Sequence, residues 1–134
     1  MGHFSVAGSW ANAQLTTNDQ AQLMENLSEA IYPRYYVYAR SLLSSVVSWQ
    51  SWGIPRVARP LGWKVFFKGG WRGTSRGQLI HQVARLERRG ETVIICVMTD
   101  GDPSSGYGQE TVGGITQRLL LAPRVERGQE DREH

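Results

Sequence analysis

Over residues 63–99 the apolar residues stop recurring every three or four places and begin to alternate. That change of period limits the fold more than any other feature of the chain. Trp63, Val65 and Phe67 fall on one side, with Lys64, Phe66 and Lys68 on the other, as in a strand laid against a core. A second strand is expected over about residues 78–86, where His81 alternates with Gln82. "ERRGE" reads as a turn around Gly90, and "TVIICVMT" as a third strand whose almost unbroken apolar run argues for cover on both faces. Short connections between three strands predict an antiparallel meander. A buried central strand wants partners on both edges, however, and only two other strands are available.

Helical spacing brackets this region. In "TTNDQAQLMENLSEAIYP" the spacing predicts a helix with Thr17 as N-cap and Gln20 reaching back as in a capping box. Its apolar stripe is Ala21, Leu23, Met24, Leu27, Ala30 and Ile31, and Pro33 stops it and opens the next helix. That second helix is read with Tyr35, Tyr38, Leu42, Val46 and Trp49 along one buried side. "GIPRVARPLG" is read as a loop, broken by Gly53, Pro55 and Pro60. After the loop "DGDPSSGYGQE", a closing helix places Val112, Ile115 and Leu119 on one side. Gly113 and Gly114 within it cost about 1 kcal/mol each against alanine, which suggests close packing on the sheet there. The expected fold class is α/β: an antiparallel sheet, three strands visible, covered by helices on both faces. One domain is expected over residues 1–122, with an irregular lead-in over 1–15 and a charged, disordered tail over 123–134.

Composition narrows the function. The 40% hydrophobic and 20% charged shares are ordinary for a globular domain, and no apolar run approaches the ~20 residues of a membrane span. "MGHFSVAGSWANAQ" has no basic start followed by an apolar segment, so no export leader is expected in it. Cys96 is the only cysteine and reads as a buried, inert thiol. His3, His81 and His134 are scattered, which argues against a structural zinc site, and no cofactor is expected. Arg72, Arg76, Arg85, Arg88 and Arg89 lie close in sequence, but acidic residues are interspersed and no nucleic-acid motif is present. Neither nucleic acid nor a membrane is an expected partner.

Chemistry is suggested by "WKVFFKGGW". Of the 15 basic residues only Lys64 and Lys68 are lysines, and Lys68 runs straight into Gly69 and Gly70. Two residues without Cβ let a ligand approach the backbone closely, and a lysine just before them adds a positive charge for a carboxylate or phosphate. The competing reading is a surface lysine followed by a flexible turn.

The ordered set Thr16-Thr17 before a helix, Gly62-Trp63 opening a strand, Lys68-Gly69-Gly70 ending it and Arg76-Gly77 opening the next resembles the C-terminal part of serine β-lactamases and penicillin-binding-type hydrolases, class A most closely. The resemblance covers about residues 8–121. It implies that Lys68 recognises a substrate carboxylate, that Gly70 matches the glycine of the Lys-Thr/Ser-Gly triplet, and that the backbone N–H of Trp71 forms half of an oxyanion hole. Such a donor is worth about 3 kcal/mol to acyl transfer. Arg76 would be a second cation for the carboxylate, and the partner would be a small molecule or peptide carrying one. Relatives usually work outside the cytoplasm.

The departures are specific. Gly69 replaces the family's Thr or Ser, deleting a hydroxyl, and Trp71 puts a large ring at the mouth of the site. Ser-x-x-Lys cannot occur, because Leu61 and Val65 stand three places before the two lysines. No Ser-Asp-Asn is present, and the surroundings of Glu25 read as plain helix rather than a deacylation loop. A triad from Ser104 or Ser105 with His81 and Asp100 or Asp102 lacks a strand–turn–helix elbow. The Asp-Gly-Asp run lacks the remaining spacing of a calcium loop. The expectation is therefore a C-terminal portion of a β-lactamase-like serine hydrolase, inactive alone, whose missing edge strand belongs to a preceding segment. The alternative is a non-catalytic binding module that uses the same groove or associates through an open sheet edge.

Overall fold

The computed structural model describes residues 15–122. The expected tail and nearly all of the expected lead-in lie outside those residues. The chain is α/β: a three-stranded antiparallel open sheet packed against helices. Helices α1 (Thr17–Glu25), α2 (Leu27–Ala30) and α3 (Pro33–Ser44) come first, followed by a 3-10 turn at Ser48–Gln50 and the short helix α4 (Ile54–Ala58). The strands β1 (Lys64–Thr74), β2 (Gly77–Arg88) and β3 (Glu91–Asp102) form a meander, and α5 (Ser105–Leu121) closes the chain.

The sheet order is β1-β2-β3, with Lys68 opposite Val83, Gly70 opposite His81, and His81 opposite Met98. β2 is therefore central, as the expected meander requires, and the apolar β3 is an edge strand. β3 is apolar because helices cover it on both faces. Ile95 and Val97 join the core cluster that holds Ile54 of α4 and Val112 of α5, while Ile94 and Cys96 pack with Met24 and Leu27 from the other side. The strands also run longer than the alternation suggested. β1 continues through both glycines to Thr74, so Lys68 stands inside a strand rather than at its end.

Helix entry lies one residue earlier than expected. Thr16 caps α1 by accepting from Asp19 N at 3.1 Å, and the Asp19 carboxylate accepts from Thr16 N at 3.0 Å. A short charged residue at N3 suits the box and the positive end of the helix. The long helix expected to Ile31 breaks at Asn26, whose carbonyl accepts from Glu29 and Ala30 and starts α2. The "GIPRVARPLG" loop is in fact helical, with Pro55 in the first turn of α4, where its absent N–H is no loss.

The largest correction concerns α3. Tyr35, Tyr38 and Leu42 are 49%, 65% and 53% exposed, so the aromatic stripe faces outward; Val46 and Trp49 lie beyond the end of α3, where Val46 packs against the core and Trp49 is 70% exposed. The inward face is Tyr36, Arg40 and Leu43, spaced i, i+4, i+7. Arg40 lies 3.9 Å above the Phe66 ring and makes paired bonds of 2.9 and 2.6 Å to Glu87 of β2. An arginine takes an inward position because its charge is met there and its planar group stacks on the ring.

Close packing of α5 occurs at Gly108, not at Gly113 and Gly114. A Cβ on Gly108 would meet Ile80 Cγ1 at 2.4 Å, whereas one on Gly113 would find only ordinary contacts at 3.9 Å. One polar residue crosses the apolar face between sheet and α4: Gln82, 1% exposed, accepts from Ile54 N at 2.7 Å and donates to Trp52 O at 2.8 Å.

Candidate functional site

Lys68, Gly69 and Gly70 lie in extended backbone on β1, whose far edge carries no partner strand among the described residues. Strand alternation sends Lys68 and Gly70 to the α1–α3 face and Gly69 and Trp71 to the α4–α5 face. Lys68 is exposed at the rim, and its ammonium donates to the Gly69 carbonyl. Lys68, Gly69 and Gly70 line a cavity of about 260 Å³ together with Leu15, Gln20, His81, Val83, Cys96 and Met98.

Both glycines are explained by rings. A Cβ on Gly69 would stand 3.2 Å from the Trp52 ring, and one on Gly70 would stand 3.0 Å from His81 Cδ2. The space left by each missing Cβ is thus used by a side chain of the protein itself. This also accounts for glycine where the resembled triplet has Thr or Ser: a branched hydroxyl residue at 69 would press on Trp52. Trp71 is 47% exposed and meets Trp49 and Trp52 edge to face, with centroids 6.2 and 6.4 Å apart. The three tryptophans make a wall on the α4–α5 face of β1, within the preferred separation for such pairs.

Arg76 is elsewhere. It lies in the turn after Thr74, six strand residues or about 20 Å from Lys68. Its guanidinium is paired with Asp100 at the far end of β3. The structure therefore brings Lys68, Gly69, Gly70 and Trp71 together and leaves Arg76 apart. The serine, histidine and aspartate residues considered as a triad are also separated. Ser104 caps α5 by accepting from Tyr107 N at 3.1 Å. Asp102, 5% exposed, accepts from the Thr99 hydroxyl and lies against Gly108 on the α5 side. His81 faces the opposite side of the sheet, toward α1.

His81 is the residue that sequence reasoning undervalued. Burial first, and the nearby Lys68 charge second, hold its imidazole below the usual histidine range, so it is neutral at pH 7. Its Nδ1 is buried and has no hydrogen-bond partner among the described residues. Cys96 in the same cavity is pushed up to about 11 by burial, which keeps it a thiol rather than a nucleophilic thiolate. Only the register reveals this grouping, because His81, Cys96 and Met98 belong to two strands joined by a turn.

Among the described residues, no three or more His, Cys, Asp or Glu side chains gather as a metal site, and no helix is long and apolar enough to cross a membrane. Comparison with protein-family models, with curated proteins and with solved structures found no match.

Proposed function

We propose that this chain is the substrate-recognising C-terminal portion of a β-lactamase-like serine hydrolase. In this reading Lys68 receives the carboxylate of a lactam or peptide, Gly69 and Gly70 admit it to the backbone, and Trp71 N–H stabilises the oxyanion. The attacking serine comes from a segment that carries Ser-x-x-Lys. The single observation in support is that Lys68-Gly69-Gly70 stands in extended backbone on a strand edge with no sheet partner among the described residues, above a cavity. An edge strand can offer bare N–H groups and a cation to an anionic guest, which an internal strand cannot. With no positioned nucleophile, the chain alone is expected to leave nitrocefin intact. The test is the reading frame upstream of Met1. An encoded Ser-x-x-Lys, with hydrolysis by the longer product falling about 100-fold or more in Lys68→Ala, supports the proposal. A reading frame that truly starts at Met1 overturns it, as does nitrocefin turnover by the chain alone that ignores every serine.

A second reading rests on the rings. Trp52 and His81 fill the spaces at Gly69 and Gly70, so the glycines have a packing role without any ligand. On that basis the chain is a non-catalytic module that binds an extended acidic segment along β1, beside the wall of Trp49 and Trp71. Tight binding of an acidic peptide by a product that starts at Met1 would favour this reading over the first.

A further inference from the structure

We propose that His81 Nδ1, the Met98 thioether and the Cys96 thiol form a three-coordinate site for a thiophilic univalent cation, Cu(I) in class, with Ag(I) as its redox-silent equivalent. The inference does not depend on the hydrolase reading.

Three observations carry it. All three side chains line the same cavity on one face of the sheet. His81 and Met98 are register partners on adjacent strands, which puts their Cβ atoms about 4.5–5.5 Å apart. Cys96 lies two residues before Met98 and so shares its face, about 7 Å along the strand.

The orientation of the imidazole adds to these. Its Cδ2 edge faces Gly70 on β1, where a Cβ would come within 3.0 Å. The opposite edge, with Nδ1, is turned away from β1, and β3, which carries Met98 and Cys96, is the strand on the other side of β2. That nitrogen is buried and unpartnered among the described residues. A buried polar atom without a partner costs stability, and a metal bond would satisfy it.

The donor set selects the ion. Thioether and thiol are soft ligands that favour Cu(I) and discriminate against Mg²⁺, Ca²⁺ and Mn²⁺, which want oxygen. Among the described residues no carboxylate lines the cavity. Binding forms a metal–sulfur bond at Cys96 and releases one thiol proton to solvent, with no electron transferred. The resulting thiolate neutralises the univalent ion, so the nearby Lys68 ammonium does not oppose a net positive centre.

The test uses the whole chain under anaerobic conditions, titrated with Ag(I) nitrate and, separately, with Cu(I) held by a chromophoric chelator. The expected result is one equivalent bound, one proton released, and protection of Cys96 from alkylation. Met98→Leu and His81→Leu should each weaken binding by about 10-fold or more, the scale on which even outer-shell changes act at metal sites. Cys96→Ser should abolish it. Should a variant lose its cooperative unfolding, NMR of the unaltered chain decides instead: saturation with Ag(I) should shift His81 Nδ1 and the Met98 methyl. A thiol that binds equally well in Met98→Leu and His81→Leu, or an unmoved His81 Nδ1, overturns the proposal.

Discussion

Gln82 is 1% exposed, yet its amide is used at both ends, on Ile54 N and on Trp52 O. Gly53 shows how closely the amide fits. With φ of 68° and Gln82 Oε1 only 2.6 Å from where a Cβ would stand, no other residue passes there without displacing the bond. Gln82→Leu keeps the volume but leaves two buried backbone groups unpaired. It should lower stability by about 2–4 kcal/mol in denaturant unfolding, and a loss under about 1 kcal/mol would show that the clamp carries little. Glu87 is the other residue whose surroundings decide its behaviour. Paired bonds from Arg40, ahead of a further bond from Arg85, hold its carboxyl down at about 2. Its folded value lies below the unfolded one, so the stability it adds is present above about pH 4.5 and is lost as pH falls toward 2. Glu87→Gln should lower stability at pH 7 and flatten the pH profile across that window. A variant that keeps the steep wild-type profile there would rule this residue out as its source. Lys68-Gly69-Gly70 was legible as a stretch of special backbone. That its glycines accommodate Trp52 and His81 was not, because neither ring is near them in sequence.

At the scale of elements, the alternation over residues 63–99 was a reliable guide to three strands, since each has a face that must stay apolar wherever it packs. Helix α3 was misread for a reason that can be stated physically. Tyr35, Tyr38 and Leu42 look like a core stripe, while the inward face is disguised by Arg40, which sequence reading assigns to water. Only the presence of Phe66 and Glu87 on neighbouring strands makes that arginine an inward residue. The outward stripe consequently adds little to folding. Tyr38→Ser with Leu42→Ser should change unfolding stability by no more than about 0.5 kcal/mol each, the usual scale for surface substitutions, and should reduce self-association in light scattering. A large loss of stability would mean that this face is covered in solution. The break at Asn26 and the short helix α4 escaped notice because one-turn helices leave too few residues for a period to register.

For the molecule as a whole, the meander leaves the outer edges of β1 and β3 without partner strands among the described residues. Edges of this kind are places where chains add strands, and here one of them carries Lys68 and Trp71. Amide hydrogen exchange should therefore be slowest in β2, bonded on both sides, and markedly faster at alternate residues of β1 and β3. If residues 92–98 of β3 prove as protected as β2, another strand occupies that edge in solution. By itself the sequence determined the number of strands, their antiparallel order and the flanking of the sheet by helices, because alternation and turn residues are local physical requirements. Tertiary structure alone decided which face of α3 is inward and that His81, Met98 and Cys96 meet in one cavity. Those outcomes depend on partners distant in sequence, whose charge or shape reverses what each residue would prefer alone.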